Sequence, residues 1–183
     1  VPASAGEKNI QADTSSSVEA GGTTTVDVLV AWTVNARNSY GGDMYALAQA
    51  AVNDANTAYS NSQINVRLRL VGAMETTYDE SANADPFGDT LSALQAGTNS
   101  EMARIQARRN ATGADLVSLF INDASFCGLA YLMSSTNFGY SVVNYDCAVG
   151  NHSFAHELGH NFGARHDPFV DSSTTPFAYG HGY

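Results

Sequence analysis

Basic residues are scarce in this 183-residue chain. It has 8 Lys and Arg against 18 Asp and Glu, and the formal net charge is -10. Lys8 is the only lysine. Nucleic-acid binding depends on clustered Lys and Arg that neutralise phosphate groups. The composition therefore argues against nucleic acid as a partner.

Long apolar runs are also missing. No stretch approaches the about 18–20 apolar residues that a membrane-spanning helix needs, so no membrane partner is predicted. With 44% hydrophobic residues, the chain still has the composition of a globular protein. Its length fits one domain with a sizeable core. Only 14% of the residues are charged, and such a lysine-poor polar surface suits a secreted protein, which we expect to be a monomer.

Cysteine is limited to Cys127 and Cys147. A bridge between them would close a loop of about 20 residues and stabilise the fold by about 3 kcal/mol in the chain-entropy model. Two free buried thiols are the alternative. Two cysteines do not determine the cellular compartment by themselves.

Residues 1–23 contain Ser and Gly but almost no large apolar side chains, which is typical of a linker or of the remnant of a removed pro-segment. From residue 24 the composition is that of a folded domain. Three segments have the alternating or continuous apolar residues of strands: 25–32, 64–70 and 115–121. Three others have the apolar spacing of helices: 43–59, 86–96 and 101–109.

The alternation of strands and helices favours an α/β domain with a mostly parallel sheet. Residues 128–132 and 141–145 also have strand composition, and they flank a turn at residues 137–139. A further helix is predicted to begin near Ser153.

That helix carries the sequence HELGHNFGARHD over residues 156–167, which has the form HExxHxxGxxH. His156 and His160 are four residues apart, so one helix face presents both imidazoles to a single ion. Glu157 points away from the two ligand nitrogens but can reach a water on the metal as general base. A histidine-rich surface helix without a metal is the alternative interpretation.

Gly163 can adopt a positive φ and end the helix, which turns the chain back beneath the metal. His166 then supplies a third ligand from outside the helix. Three neutral protein ligands leave a fourth position for water, and this arrangement is typical of a catalytic zinc site.

This motif resembles that of the metzincin metalloproteases, and HELGHNFG followed by His166 and Asp167 is similar to the adamalysin/reprolysin branch. The chain most resembles secreted bacterial reprolysin-like proteases, including the peptidyl-Asp metallopeptidases. The likeness covers about residues 25–183. Four segments outside the motif support it: VDVLV from residue 26, VRLRLVG from residue 66, ADLV from residue 114 and CGLAYL from residue 127.

The resemblance implies a twisted, mostly parallel five-stranded sheet with one antiparallel edge strand above the cleft, plus an active-site helix. It assigns zinc ligation to His156, His160 and His166 and the role of general base to Glu157. One catalytic zinc is the expected cofactor, whereas the sequence does not predict whether calcium binds. The implied function is a zinc endopeptidase acting on proteins or peptides, with an inhibitory propeptide as a further partner.

Five consecutive residues are interpreted as the edge strand: Gly128, Leu129, Ala130, Tyr131 and Leu132. In such proteases an extended substrate pairs with this strand through main-chain hydrogen bonds. The alternative is the end of an interior strand. A Cys127–Cys147 bridge would tie this rim to the approach to the zinc helix and make the cleft rigid.

Three other side chains near the motif have open interpretations. Asp167 anchors the loop of His166 through a backbone hydrogen bond, partners a ligand imidazole, or is an ordinary solvated carboxylate. His152 is expected to be a solvated loop histidine rather than a ligand. His181, between two glycines, is a weaker candidate for contact with substrate or propeptide.

The sequence offers one candidate residue for a preference in the substrate. Cleavage before aspartate, as in the peptidyl-Asp relatives, would require a cation at the S1′ pocket. Arg165 lies in the motif and is the candidate, and the alternative is that its side chain faces solvent.

One feature that the resemblance implies, a methionine turn, is missing from the sequence. Metzincins have a methionine in a turn downstream of the zinc motif, but the four methionines here all precede His156. We therefore expect the catalytic domain over residues 24–183 to lack this turn. The competing hypothesis is a zinc-bearing fragment that binds peptides without cleaving them.

Overall fold

The computed structural model describes residues 22–132 and 135–182. Residues 1–21 of the predicted linker lie outside the described residues. The helices and strands, in chain order, are β1 (Thr24–Thr33), α1 (Val34–Tyr40), α2 (Met44–Asn61), β2 (Val66–Thr76), α3 (Pro86–Ala96), α4 (Ser100–Thr112), β3 (Leu116–Ile121), β4 (Gly128–Ala130), β5 (Tyr140–Asn144) and α5 (Ser153–Asn161).

The five strands form one sheet in the order β2-β1-β3-β5-β4. β1 pairs in parallel with both β2 and β3, and β3 pairs in parallel with β5. β4 is antiparallel to β5 and forms one edge of the sheet. The predicted mostly parallel five-stranded sheet with an antiparallel edge strand is confirmed.

Helices cover both faces of the sheet, as a parallel sheet requires. The centre of β1 is therefore buried on both sides, from Val28 to Ala31. Val28 and Val30 join the apolar cluster that contains residues of α2 and α5, whereas Leu29 and Ala31 join the cluster that contains residues of α3 and α4. α5 thus belongs to one of the two core layers.

Two strands differ from the sequence prediction by more than one residue at an end. β2 was predicted over residues 64–70 but runs from Val66 to Thr76, because β1 continues to pair with it as far as Thr76. The edge strand was predicted over residues 128–132 but ends at Ala130, so Tyr131 and Leu132 lie beyond it. The carbonyl oxygen of Tyr131 instead accepts a hydrogen bond from the Asn161 side chain, at 2.9 Å.

α1 was not predicted from the sequence. It is short, and only Ala36 within it is buried, so it has no apolar periodicity to reveal it. Its ends do follow local rules. The Thr33 side chain accepts a hydrogen bond from the Ala36 N–H at the start, and Gly41 ends the helix with φ 67°.

No described helix is both long enough and apolar enough to cross a bilayer.

Candidate active site

The core fixes the helix that carries the candidate ligands. Phe154 and Leu158 of α5 are fully buried in the apolar cluster beneath the sheet. The Tyr59 hydroxyl on α2 donates a hydrogen bond to the carbonyl oxygen of Ala155, at 2.8 Å. With this face of α5 buried, His156 is left exposed and His160 half-buried on the face towards the cleft.

Three imidazoles converge beside α5. His156 Nε2 lies 3.1 Å from His160 Nε2 and 3.1 Å from His166 Nε2. One ring nitrogen from each residue lies within 4.8 Å of the others, so the three could hold one metal ion. Within residues 22–132 and 135–182, no other set of three His, Cys, Asp or Glu side chains converges in this way.

Hydrogen bonding prepares His160 for ligation through Nε2. Its Nδ1 lies 2.8 Å from the carbonyl oxygen of Ala164. A carbonyl only accepts, so Nδ1 carries the hydrogen and Nε2 presents its lone pair. Burial lowers the pKa of His160, and burial together with the neighbouring His160 and His166 lowers the pKa of His156. Both shifts favour the neutral imidazole that a metal requires.

The chain turns at Gly163, as predicted. α5 ends at Asn161, and Gly163 has φ 94°, a conformation that a residue with a side chain rarely adopts. A side chain would also collide there, because a Cβ on Gly163 would lie 2.8 Å from the Phe177 ring. Residue 163 is therefore restricted to glycine for two independent reasons.

The segment that carries His166 is fastened by the chain that follows it. The Arg165 N–H donates to the carbonyl oxygen of Gly180 at 2.6 Å, and the Gly182 N–H donates to the carbonyl oxygen of Arg165 at 3.2 Å. His181 Nδ1 lies 2.8 Å from the carbonyl oxygen of His166. The second ring nitrogen of His181, Nε2, lies 2.7 Å from another backbone carbonyl oxygen, that of Ser173. Both ring nitrogens thus face the protein's own backbone.

The Arg165 side chain is used within the same segment. Its guanidinium bonds to the carboxylate of Asp171 and to the carbonyl oxygen of Thr175. Only 14% of the side chain is exposed. A backbone hydrogen bond from Ser173, together with the Arg165 guanidinium, lowers the pKa of Asp171 to about 2. The charge of Arg165 is therefore already compensated by Asp171.

Asp167 caps a turn just after His166. Its Oδ1 accepts a hydrogen bond from the Phe169 N–H at 2.9 Å, and its carbonyl oxygen accepts from the Asp171 N–H at 3.0 Å. Of the three interpretations of Asp167, the structure has the backbone hydrogen bond.

Among the described residues, Glu157 is the one buried acidic side chain that lines the same cleft as the three imidazoles. It is 5% exposed, and burial raises its pKa to about 7. A carboxyl group with a pKa near neutrality can both take up and return a proton. Its carboxylate packs against Gly128 of the edge strand.

A cleft of about 620 Å³ contains these groups. β4 forms one rim and α5 lies below it. Gly128, Leu129 and Ala130 pair with Val143, Val142 and Ser141 of β5. No strand among the described residues pairs with the other edge of β4, so its main chain is open to an added strand.

The predicted disulfide between Cys127 and Cys147 is present, with the sulfurs 2.05 Å apart. It joins the residue before β4 to the short 3₁₀ helix Tyr145–Cys147 that precedes α5. Neither cysteine is free.

Two contacts near the cleft were missed at the sequence level. Asn161 is fully buried, and its Nδ2 donates to the carbonyl oxygens of Tyr131 at 2.9 Å and Tyr140 at 3.1 Å. The available signal was a polar residue on the last turn of a buried helix. His152 lines the cleft, and its Nδ1 lies 2.7 Å from Asp54 Oδ2. No sequence pattern links these two residues.

The fold, the three converging imidazoles and the buried carboxyl group agree with the metallopeptidase site that the sequence predicts. The family model Reprolysin_5, described as metallo-peptidase family M12, matches residues 22–182. The chain therefore belongs to metallopeptidase family M12, and the resemblance found in the sequence is confirmed.

Two relatives within this comparison share more than 40% of their aligned residues with the chain. Over 160 residues the chain is 45% identical to a peptidyl-Asp metalloendopeptidase of Stenotrophomonas maltophilia (strain K279a), a match covering 87% of this chain and 38% of the relative. Over 171 residues it is 41% identical to a peptidyl-Asp metalloendopeptidase of Xanthomonas campestris pv. campestris, covering 93% of this chain and 40% of the relative. The chain thus spans well under half the length of these relatives.

A solved structure described as a chaperone-substrate complex has a similar fold. The TM-score is 0.66 at 22% sequence identity, and the match covers 88% of this chain and 29% of that chain. At this identity the likeness extends to the fold alone.

Proposed function

We propose that this chain is the catalytic domain of a secreted zinc endopeptidase, with His156, His160 and His166 as the ligands of one zinc ion. The observation that carries the proposal is the convergence of three Nε2 atoms beside the buried carboxyl group of Glu157. Three imidazoles are a donor set that suits catalytic zinc, because they leave one coordination position open.

The chemistry is divided between the metal and Glu157. Bound zinc supplies Lewis-acid chemistry, which makes water acidic near neutral pH and polarises the scissile carbonyl. Glu157 accepts the proton of the attacking water as general base. The same carboxyl group then gives the proton to the leaving amine, so the side chain ends in its starting state. No covalent bond to the protein is needed.

β4 is the proposed binding site for the peptide. Its open edge can pair with an extended substrate backbone, which adds a strand to the sheet. The main chain of Gly128, Leu129 and Ala130 supplies this edge, and Tyr131 and Leu132 continue the rim. An extended peptide fits such an edge better than a small amide does.

A preference for cleavage before aspartate is the narrower part of the proposal. The Stenotrophomonas and Xanthomonas relatives support it, because both are peptidyl-Asp metalloendopeptidases. An acidic substrate side chain needs a positive partner in the cleft. Arg165 does not suit this role, since Asp171 already compensates its charge. We assign Arg165 to the loop of His166 instead.

Secretion, a monomeric state and an inhibitory propeptide complete the proposal. The Cys127–Cys147 disulfide supports secretion, because disulfides persist in oxidising compartments. The linker over residues 1–23 and the absence of a methionine turn from the domain over residues 24–183 stay predictions.

A digest tests the proposed activity. An unstructured protein is incubated with the purified chain, with and without a zinc chelator, and the cleavage sites are mapped by mass spectrometry. We expect cleavage that the chelator abolishes and that zinc restores. Sites concentrated before aspartate would support the narrower proposal, and evenly distributed sites would contradict it.

Glu157→Gln separates the enzyme from a zinc-bearing peptide-binding fragment. The variant should retain one zinc per chain and lose nearly all turnover, because it keeps the shape of the base without its proton affinity. Hydrolysis by this variant at matched zinc content would refute the mechanism. Peptide binding without cleavage by the wild-type chain would favour the non-catalytic fragment.

A further inference from the structure

We propose that Gly128 is a positioning residue for the general base: the edge strand sets where the Glu157 carboxylate lies, and only glycine leaves room for it. This inference rests on the proposed function, because it explains how the proposed base is held against the proposed substrate-binding strand.

The backbone does not explain glycine at this position. Gly128 lies in β4 and is not among the glycines with positive φ. Glycine weakens a strand, and within one it often marks a site where another group approaches closely. The reason for Gly128 must therefore be sought in its surroundings.

Glu157 is the group that approaches. A Cβ on Gly128 would lie 2.6 Å from Glu157 Cγ and 2.7 Å from Glu157 Cδ, and it would also overlap Oε1. Because Cγ lies near the base of the side chain, rotating the carboxylate alone would not relieve the collision. Glu157 is 5% exposed and lines the cleft, so relieving the collision would displace its carboxylate from the present position.

Contacts on either side of Gly128 also hold β4 in place, one to α5 and one to the 3₁₀ helix that precedes it. One turn of α5 beyond Glu157, Asn161 donates a hydrogen bond to the carbonyl oxygen of Tyr131, at 2.9 Å. On the other side, Cys127 is held by its disulfide to Cys147. β4 therefore cannot simply move away from α5 to accept a larger residue at position 128.

This arrangement joins two parts of the proposed site. The strand that would bind the substrate backbone is the surface against which the base rests. The separation between the bound peptide and the Glu157 carboxylate is then set by direct contact, with no intervening side chain. A displaced carboxylate would leave peptide binding intact and slow proton transfer.

Gly128→Ala tests this role through steady-state kinetics. A misplacement of about 1 Å can cost about 100-fold in rate. We expect kcat to fall by about 100-fold, with KM and zinc content near those of the wild type. Unchanged kcat would overturn the proposal. A raised KM with unchanged kcat would do so as well, because it would place residue 128 in substrate binding alone.

Gly42→Ala is the matched control. A Cβ at position 42 would lie 2.7 Å from the ring of Tyr40, a collision that this exposed side chain can relieve by moving, so the variant makes the same Gly-to-Ala change without displacing a group of the cleft. Tyr40 is exposed and lies on α1, outside the residues that line the cleft. This variant should keep the wild-type kcat, and an equal loss in Gly42→Ala would overturn the specific role of Gly128.

A double-mutant cycle identifies the contact. Glu157→Asp shortens the side chain by one methylene group and lowers kcat by itself. Because Glu157→Asp already displaces the carboxylate, Gly128→Ala should cost much less in this background than in the wild type if residue 128 acts through the position of that carboxylate. Equal losses in both backgrounds would mean a general structural role and would overturn the proposal.

A stability cycle tests the same contact without any enzyme assay. Gly128→Ala should lower the midpoint of urea unfolding, and Glu157→Ala should restore it by removing the atoms that collide. Additive effects on the midpoint would overturn the contact. If the wild type cleaves no peptide, the proposed function fails in that assay, whereas the contact is decided here.

Discussion

The segments before and after α5 both line the cleft, but different kinds of contact hold them. Before α5, β4 and β5 belong to the sheet, and the Cys127–Cys147 bond adds a covalent tie. After α5, the described residues to 182 contain no helix or strand. Arg165 and His181 form an isolated bridge there, and their side chains bond to backbone carbonyls.

The three candidate ligands therefore differ in how the chain that carries them is held in place. His156 and His160 come from a helix whose opposite face is buried in the core. His166 comes from the segment after the helix, where polar contacts replace apolar packing. The position of the third ligand should therefore be more sensitive to single substitutions than the position of the first two.

Acid should have the largest effect on zinc binding, because it protonates the candidate ligands on α5 as well as the one in the segment after it. Burial lowers the pKa of His156 and His160 below the ordinary value of about 6.5, so both lose their neutral form only at a pH below that value. We then expect complete zinc release, since protonated imidazoles cannot bind metal. Zinc per chain after gel filtration at decreasing pH measures this. Zinc retained below about pH 4, far under the ordinary histidine value, would contradict ligation by three histidines.

The lowered pKa values of His156 and His160 also bear on the fold of the metal-free chain. Below about pH 6.5 the unfolded chain takes up protons that the folded imidazoles resist, so these two groups lower the free energy of unfolding in acid. Glu157 acts in the opposite direction, because its pKa is raised to about 7 and the folded chain takes up its proton before the unfolded chain does. In metal-free Glu157→Gln, which lacks that carboxyl group, the free energy of unfolding should therefore decrease as the pH falls through this range. Chemical unfolding of this variant at several pH values measures it, and a stability that rises towards acid would have the wrong sign.

Removing the covalent tie should have the next largest effect, and it is confined to the segment before α5. Cys127→Ser combined with Cys147→Ser should lower the free energy of unfolding by about 3 kcal/mol, from the entropy of the opened loop. Zinc affinity should change little, because neither cysteine belongs to the converging group of candidate ligands. Urea unfolding and a zinc titration on the same samples separate the two quantities. A zinc affinity that falls along with the free energy of unfolding would contradict the expected difference between the two segments.

The elements that sequence reasoning predicted well are those set by local periodicity. Apolar alternation located β1 and β3, and the four-residue spacing of His156 and His160 placed both on one helix face. α1 was missed because seven residues with one buried position carry no such pattern. Periodicity also extended the edge strand to residue 132, whereas the Asn161 side chain takes up the Tyr131 carbonyl oxygen.

The contacts that fasten the site could not be predicted, because they join residues without a shared pattern. Gly128 and Glu157 meet only when β4 docks on α5. The sequence presents Arg165 as a cation within the motif, whereas in the folded chain its guanidinium bonds to Asp171 and Thr175. Such contacts depend on where the folded chain returns, which periodicity does not encode.

Arg165→Met tests the segment after α5 directly. The substitution removes the bonds to Asp171 and Thr175 while keeping a long side chain. Zinc affinity should fall about 10-fold, at the lower end of the effect of mutating groups that orient metal ligands. Arg69→Met is the control, because it removes a more exposed Arg–Asp ion pair, with Asp27, away from the cleft. Unchanged zinc affinity with a lost preference for aspartate would return Arg165 to substrate recognition.

The smallest effect is expected from a pair of non-ligand histidines, one from each segment. His181→Ala removes the ring that contacts the carbonyl oxygens of His166 and Ser173. A net loss of about 1 kcal/mol would weaken zinc binding about fivefold. His152→Ala removes a ring that contacts Asp54 on α2, at the beginning of α5. Because the core already fixes that helix, its zinc affinity should stay at the wild-type value, and equal losses in the two variants would show that both segments support the ligands alike.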